Sequence, residues 1–335
     1  MAGTINLFNH RSMSPAVKLL PEKPSFLRTK IFKEGKTHPT REVDLAQLTV
    51  RPKMAPFIQV GDEGILVSKD VHDIKSVAFP KIRLKSKYTG LDLEKTSINN
   101  PVIYVDSTPQ QQMITDINDQ QQKLKDMCNL RKEWMCAKLL TAGGFTYSHD
   151  GVYYKVDYGR DTDNVFDVNT DWGTNGATPL KDFRSGYELC RTQGSSGVGR
   201  IAVFGSNAYD LFMEDETVLA KLDTLNLKMG TIEPVAGEQY FGRINGVDCY
   251  VYSDNDTDGN PFIPANAVVF IPIANEYVID YGPVHEKEGL IQTDWFSKGW
   301  DQEEPPGRFI CVETNPLPLA RDIDGIVVMY AVGRT

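Results

Sequence analysis

The chain has 335 residues, 41% hydrophobic and 24% charged, a globular composition long enough for two domains or one elaborated one. Its formal net charge of -9 argues against a nucleic-acid binder, because neutralising phosphates takes a concentrated basic surface. No segment approaches the roughly 18 apolar residues of a membrane span, and the N-terminus lacks the apolar core of a signal peptide, so export is not expected.

Residues 1–40 hold four prolines and little periodicity, with one apolar cluster from Phe26 to Phe32. They read as an extended arm rather than core. Val43 and Leu45 alternate in a strand over 42–48. The most regular strand follows over 79–88: Lys81, Arg83, Lys85 and Lys87 share one face, and Ile82, Leu84 and Tyr88 the other. With a partner near 57–60 or 65–67 and turn residues Gly61, Asp62 and Gly64 between, this predicts a two-stranded flap. A lone hairpin is marginal in water, so its apolar face rests either on its own domain or on another subunit.

The rest of the chain hangs on 108–144, read as one long helix. Thr108-Pro109-Gln110-Gln111 has the form of a capping box, with proline where its missing N–H costs nothing. Gly143-Gly144 is the stop. Roughly 34 residues without glycine or further proline make a rod of about 50 Å. Met113, Ile114, Ile117, Leu124, Met127, Cys128, Trp134 and Met135 recur at helical spacing, broken at Gln120-Gln121-Gln122. Such a helix is either an ordinary core helix or a strut with a polar side left for a neighbour.

Strands are predicted over 145–158, then a polar loop over 160–178. Thr178-Pro179 opens a helix over 180–192 that ends at the glycine-rich 194–199. A strand over 200–204, a helix capped by Ser206 and another over 218–225 come next. Asn245-Gly246, between strands over 240–244 and 247–252, is the strongest hairpin signal. Further strands fall over 267–271, 277–280, 309–313 and 326–330. Strands and helices mix without strict alternation, so the fold class is α+β.

Sites of chemistry do not stand out. Asp254, Asp256, Asp258 and Gly259 copy the start of a calcium loop, but Ala265 stands where the bidentate glutamate belongs, so a solvated turn is the better reading. The 194–199 run lacks the lysine-serine ending of a phosphate loop and lies between helix and strand in the wrong order. Five cysteines (Cys128, Cys136, Cys190, Cys249 and Cys311) form no CxxC and suit reduced, buried thiols. The histidines never pair at ligand spacing, and no serine sits in a nucleophile elbow. No cofactor, no metal and no enzyme activity are expected. Charge is uneven: residues 51–87 carry eight Lys or Arg against four Asp or Glu, a net of +4, whereas 254–304 carry two against eleven, a net of -9.

Phe26-Leu27-Arg28 with Ile31-Phe32 and the Val43 strand form one set of matching motifs. Ile201 to Phe204, Tyr209, Leu211-Phe212 and Lys221-Leu222-Asp223 form a second, and Tyr240-Phe241-Gly242 with Ala267 to Phe270 a third. In this order they resemble the lambda-type capsid E family of tailed-bacteriophage major capsid proteins. The resemblance implies the Hong Kong 97-like capsid fold, with an N-terminal arm (1–48), an extended β-hairpin loop (49–90), a peripheral domain (91–177 and 290–322) with the spine helix over 108–142, an axial domain (178–289) and a C-terminal strand (323–335). The implied function is structural. Copies assemble as hexamers and pentamers into an icosahedral head shell, built in the host cytoplasm, that encloses DNA without sequence-specific binding. Scaffold, portal and decoration proteins are the implied partners, with no membrane. Lys81, Ile82, Arg83, Leu84, Lys85 and Lys87 are the expected inter-subunit contact, against the acidic 254–304 surface or the long helix of an adjacent copy. The alternatives are a soluble ligand-binding protein or enzyme with a calcium site at Asp254–Asp258, and another virion component such as a tail protein.

Overall fold

The computed structural model describes residues 8–46, 74–89, 109–149, 151–193, 200–219, 238–272, 276–287, 289–304 and 306–334. In chain order these form α1 (His10–Leu19), β1 (Lys33–Thr37), β2 (Glu42–Ala46), β3 (Ile74–Ala78), β4 (Ile82–Tyr88), α2 (Pro109–Ala142), β5 (Gly144–His149), β6 (Val152–Asp157) and β7 (Val165–Asp167). Then come α3 (Pro179–Gln193), β8 (Arg200–Phe204), α4 (Ser206–Glu214), β9 (Glu238–Ile244), β10 (Val247–Tyr252), β11 (Ala267–Pro272), β12 (Tyr277–Tyr281), β13 (Val284–Glu286) and β14 (Gly289–Ile291). The last strands are β15 (Phe296–Gln302), β16 (Gly307–Thr314), β17 (Pro316–Ala320) and β18 (Val327–Tyr330).

The long helix is there as one 34-residue element, α2. Gly143 ends it in the left-handed conformation at φ 68°, its N–H bonding to Leu139 O at 3.1 Å. Arg160 donates to the otherwise unpaired carbonyls of Leu140 and Thr141, at 2.8 and 2.6 Å. A helix of this length therefore stops on a glycine and a guanidinium cap. Thr108 lies outside the described residues, as do the 57–67 partner strand, the 194–199 run and the 221–223 motif.

A six-stranded sheet in the order β7-β18-β11-β8-β10-β9 forms the centre. Its middle strand β11 is buried along its whole length, and the period of two divides its side chains between two cores. Val268 and Phe270 join Phe183, Phe204 and Phe212 under α3 and α4. Val269 and Ile271 face the C-terminal half of α2 and the cluster of Phe26, Leu27 and Phe32. Asn245 (φ 51°) and Gly246 (φ 82°) turn β9 into β10 as the sequence predicts.

A second sheet, β15-β16-β4, packs against α1 and the N-terminal half of α2 through Val312, Leu124, Cys128 and Val17. Residues 8–14 line its β15 edge: Gly299 N–H bonds to Phe8 O and Ser297 N–H to Ser14 Oγ, both at 2.9 Å. A third sheet joins β1 in parallel to β12, with β17 beyond. β2 pairs with β3.

Four expectations need correction. The N-terminal stretch is not extended over 10–32: it forms α1 and a buried turn, because Phe26, Leu27 and Phe32 supply core side chains that no later segment provides. The polar loop over 160–178 contains β7, a short edge strand parallel to β18 whose three residues are too few to show a period. Ser206 is the first residue of α4 rather than its cap, and no side chain caps that end. The next helical turn begins at 216 rather than 218, with the Asp215 carboxylate accepting from Thr217 N and Val218 N at 2.9 and 3.1 Å.

Candidate functional site: an assembly interface

Buried positions along α2 fall into two stripes. Ile117, Leu124, Cys128 and Met135 make the apolar one. Gln121, Lys125, Asn129 and Glu133, four residues apart, make a polar one that is equally buried, with Lys132 beside it. The sequence leaves open whether α2 is an ordinary core helix or a strut with a polar side for a neighbour; the chain's own residues 18–34 cover much of that polar side.

Lys125, 0% exposed, donates to Leu20 O at 2.8 Å and pairs with Glu22 at 3.1 Å. Burial works against the Glu22 carboxylate, yet Arg28 and Lys125 beside it hold it below its ordinary range. Lys132 lies 4.0 Å from the Trp295 ring centroid and donates to Tyr281 OH at 3.0 Å, and Tyr281 in turn donates to Glu34. Burial pulls the Lys132 ammonium down to about 8, while the two ring faces favour its charged form. Glu133 Oε1 accepts from Leu27 N and Tyr252 OH, both at 2.8 Å, and Oε2 accepts from Arg28 N at 3.0 Å. Burial raises this carboxyl above its usual value, against the pull of those donors. The arrangement fastens the N-terminal segment to the helix and to β10.

β4 carries the expected contact residues, and it pairs with β16 of its own chain, Arg83 opposite Glu313 and Lys87 opposite Phe309. Ile82 and Leu84 pack on Val17, Leu124, Trp295 and Val312. Of the two readings the sequence leaves open, this strand therefore lies on its own body. Glu313 is 0% exposed, with Lys81 and Arg83 at 3.3 and 3.2 Å. Lys85 and Lys87 stand 5.7 and 5.6 Å from the Phe309 centroid, and Phe309 stacks on Trp300. The positive charge belongs to this strand region rather than to the flap: 75–87 holds five cations and no acid, whereas 47–73 holds three cations and four acids.

A groove of about 300 Å³ runs between β4, α2 and the β5–β6 hairpin. Lys81, Ile82, Arg83 and Leu84 line one side, Met127 and Trp134 the floor, and Tyr147 and Val152 the other side. Arg131 sits between the rings of Trp134 and Tyr147, 5.0 and 5.1 Å from their centroids. Met127 is 57% exposed and Val152 46%, so the groove presents apolar surface to water.

The acidic turn is spent on its own geometry. Asp256 accepts from Asp258 N and Asn260 N at 2.9 and 2.8 Å, and this hydrogen bonding holds its carboxyl low. Among the described residues no cluster of His, Cys, Asp and Glu could hold a metal ion. All five cysteines are buried thiols and none is joined in a disulfide. No described helix is long and apolar enough to cross a membrane.

Comparison with solved structures identifies the fold. The capsid protein of a prophage of E. coli CFT073 superposes with a TM-score of 0.70 at 15% identity, covering 96% of this chain and 98% of that one. A phage-related protein of Bordetella bronchiseptica RB50 gives 0.52 at 10% identity, covering 95% and 96%. The capsid of cyanophage P-SCSP1u gives 0.50 at 8% identity, covering 98% and 91%. No curated protein matches the chain. The profile of the phage major capsid protein E family matches residues 9–330, nearly the whole sequence. With its mixed sheets, its spine helix and its exposed apolar groove, the chain belongs to the phage major capsid protein E family and is a structural, shell-forming component of the virion.

Proposed function

We propose that copies of this chain close into an icosahedral head as hexamers and pentamers, assembled in the host cytoplasm around DNA that is held without sequence-specific contacts. An adjacent copy fills the groove beside β4, and the exposed cations Lys85 and Lys87 meet the acidic 254–304 surface. The observation that carries this reading is the groove itself, where Met127 and Val152 stay exposed next to Lys81, Ile82, Arg83 and Leu84. The net charge of -9 supports a container that does not adhere to its DNA. The 1–48 arm, 49–90 loop, peripheral (91–177 and 290–322) and axial (178–289) regions and 323–335 strand are the proposed divisions. Sheet membership suggests moving β7 and β18 to the axial side. Scaffold, portal and decoration proteins are the proposed further partners.

Two variants test the contact. M127E and the pair K85E/K87E change exposed side chains, so each should leave subunit stability within about 0.5 kcal/mol. Both should lower the yield of closed particles on a sizing column at least tenfold. Normal particle yield from both would overturn the proposed surfaces.

A further inference from the structure

A second cleft, of about 260 Å³, lies where the N-terminal segment, α2 and the acidic turn meet. Three carboxylates, Asp126, Glu133 and Asp254, line it against one ammonium, Lys23, which pairs with Asp126 at 2.9 Å on a side chain that is 80% exposed. The donors that meet Glu133 are neutral: Leu27 N–H, Arg28 N–H and the Tyr252 hydroxyl. The same hydroxyl meets Asp254, so one proton serves two carboxyls. Burial holds both carboxyls above their ordinary range, against the pull of these donors. Asn129, one helical turn before Glu133, also lines the cleft. It is only 7% exposed, and among the described residues neither its Nδ2 nor its Oδ1 has a hydrogen-bond partner.

We infer that this cleft binds a short aliphatic diamine, with one ammonium between Glu133 and Asp254 and the other at Asn129 Oδ1 and Asp126, in place of the Lys23 head. Three carboxylates against one ammonium leave two negative charges in excess, and a diamine brings two positive ones, each able to donate to a carboxylate and to the Asn129 oxygen. Asn129 and Glu133 are about 6 Å apart along the helix axis, a distance that a chain of three or four methylenes spans. Leu130 and Phe262 give those methylenes an apolar wall. At about 30 Å³ per water the cleft also has room for a water that accepts from Nδ2. A bare metal ion fits less well, because among the described residues no cluster of His, Cys, Asp and Glu could hold one. All of these residues belong to one chain, so the site exists with or without the shell.

The test is calorimetric titration of 1,4-diaminobutane into the purified full chain. One saturable site per chain is expected, with butylamine, which carries a single ammonium, at least tenfold weaker. D254N, at a partly exposed position, should weaken diamine binding at least tenfold, and N129L, which removes the unpaired amide at nearly constant volume, severalfold. K23A should act in the opposite sense and strengthen binding severalfold, because the competing ammonium is gone from an exposed side chain. Acidification should weaken binding, since a protonated Asp254 carboxyl has no charge to pair. Diamine binding that is unchanged in D254N, N129L and K23A would mean attraction to an acidic surface at large and would overturn the site. Butylamine binding as tightly as the diamine, or magnesium chloride displacing it at matched ionic strength, would overturn it as well.

Discussion

E133A is expected to destabilise the subunit by about 3–5 kcal/mol in urea unfolding and to expose residues 20–32 to protease. The carboxylate is the shared acceptor for Leu27 N, Arg28 N and Tyr252 OH. Alanine leaves all three donors in a buried space, each costing about 1–3 kcal/mol, partly offset because the buried charge also disappears. E133Q keeps the shape and one acceptor and should cost only about 1–2 kcal/mol. The order of these two decides between roles. If the carboxylate matters as a hydrogen-bond acceptor, alanine is much worse than glutamine; equal losses below 1 kcal/mol would mean that apolar packing of Phe26, Leu27 and Phe32 holds the segment by itself.

K81A/R83A should cost about 3 kcal/mol, because it strands Glu313 in a site with no solvent access. Lys81 and Arg83 each keep about a third or more of their surface, 41% and 35%, which places the loss toward the lower end for a broken buried pair. Adding E313L removes the stranded charge and should restore most of the stability. A triple variant no more stable than the double would show that Glu313 is neutralised some other way. The same geometry makes reversal of Lys81 and Arg83 together with Lys85 and Lys87 a poor probe of assembly, because the first two neutralise Glu313 in the subunit's own sheet.

Elements with strong local signals were legible in the sequence. Proline at the start and glycine at the stop bounded α2, and Asn245-Gly246 placed a hairpin, because each depends on backbone conformation within a few residues. The polar stripe of α2 was not legible. Gln121, Lys125, Lys132 and Glu133 are residue types that normally face water, and segments far away in the chain bury them: residues 18–34 meet Lys125 and Glu133, while Ser297 and Tyr281 meet Gln121 and Lys132. A spacing of four between buried polar residues was the available signal, but it is indistinguishable from an ordinary solvated face. Charge misled for a related reason. A sum over 51–87 joined the five cations of 75–87, two of which pair with Glu313 inside the subunit, to a neighbouring stretch that is close to neutral. The groove proposed to receive an adjacent copy also needed the structure, since β4, α2 and the β5–β6 hairpin contribute to it from separate parts of the chain.

Other copies of the same chain are proposed to complete this surface. Negative-stain electron microscopy of the purified protein, alone and with any scaffold expressed beside it, tests that most directly. Closed polyhedral particles with hexameric and pentameric units are expected. A uniform population of single 37.5 kDa subunits under both conditions would contradict it.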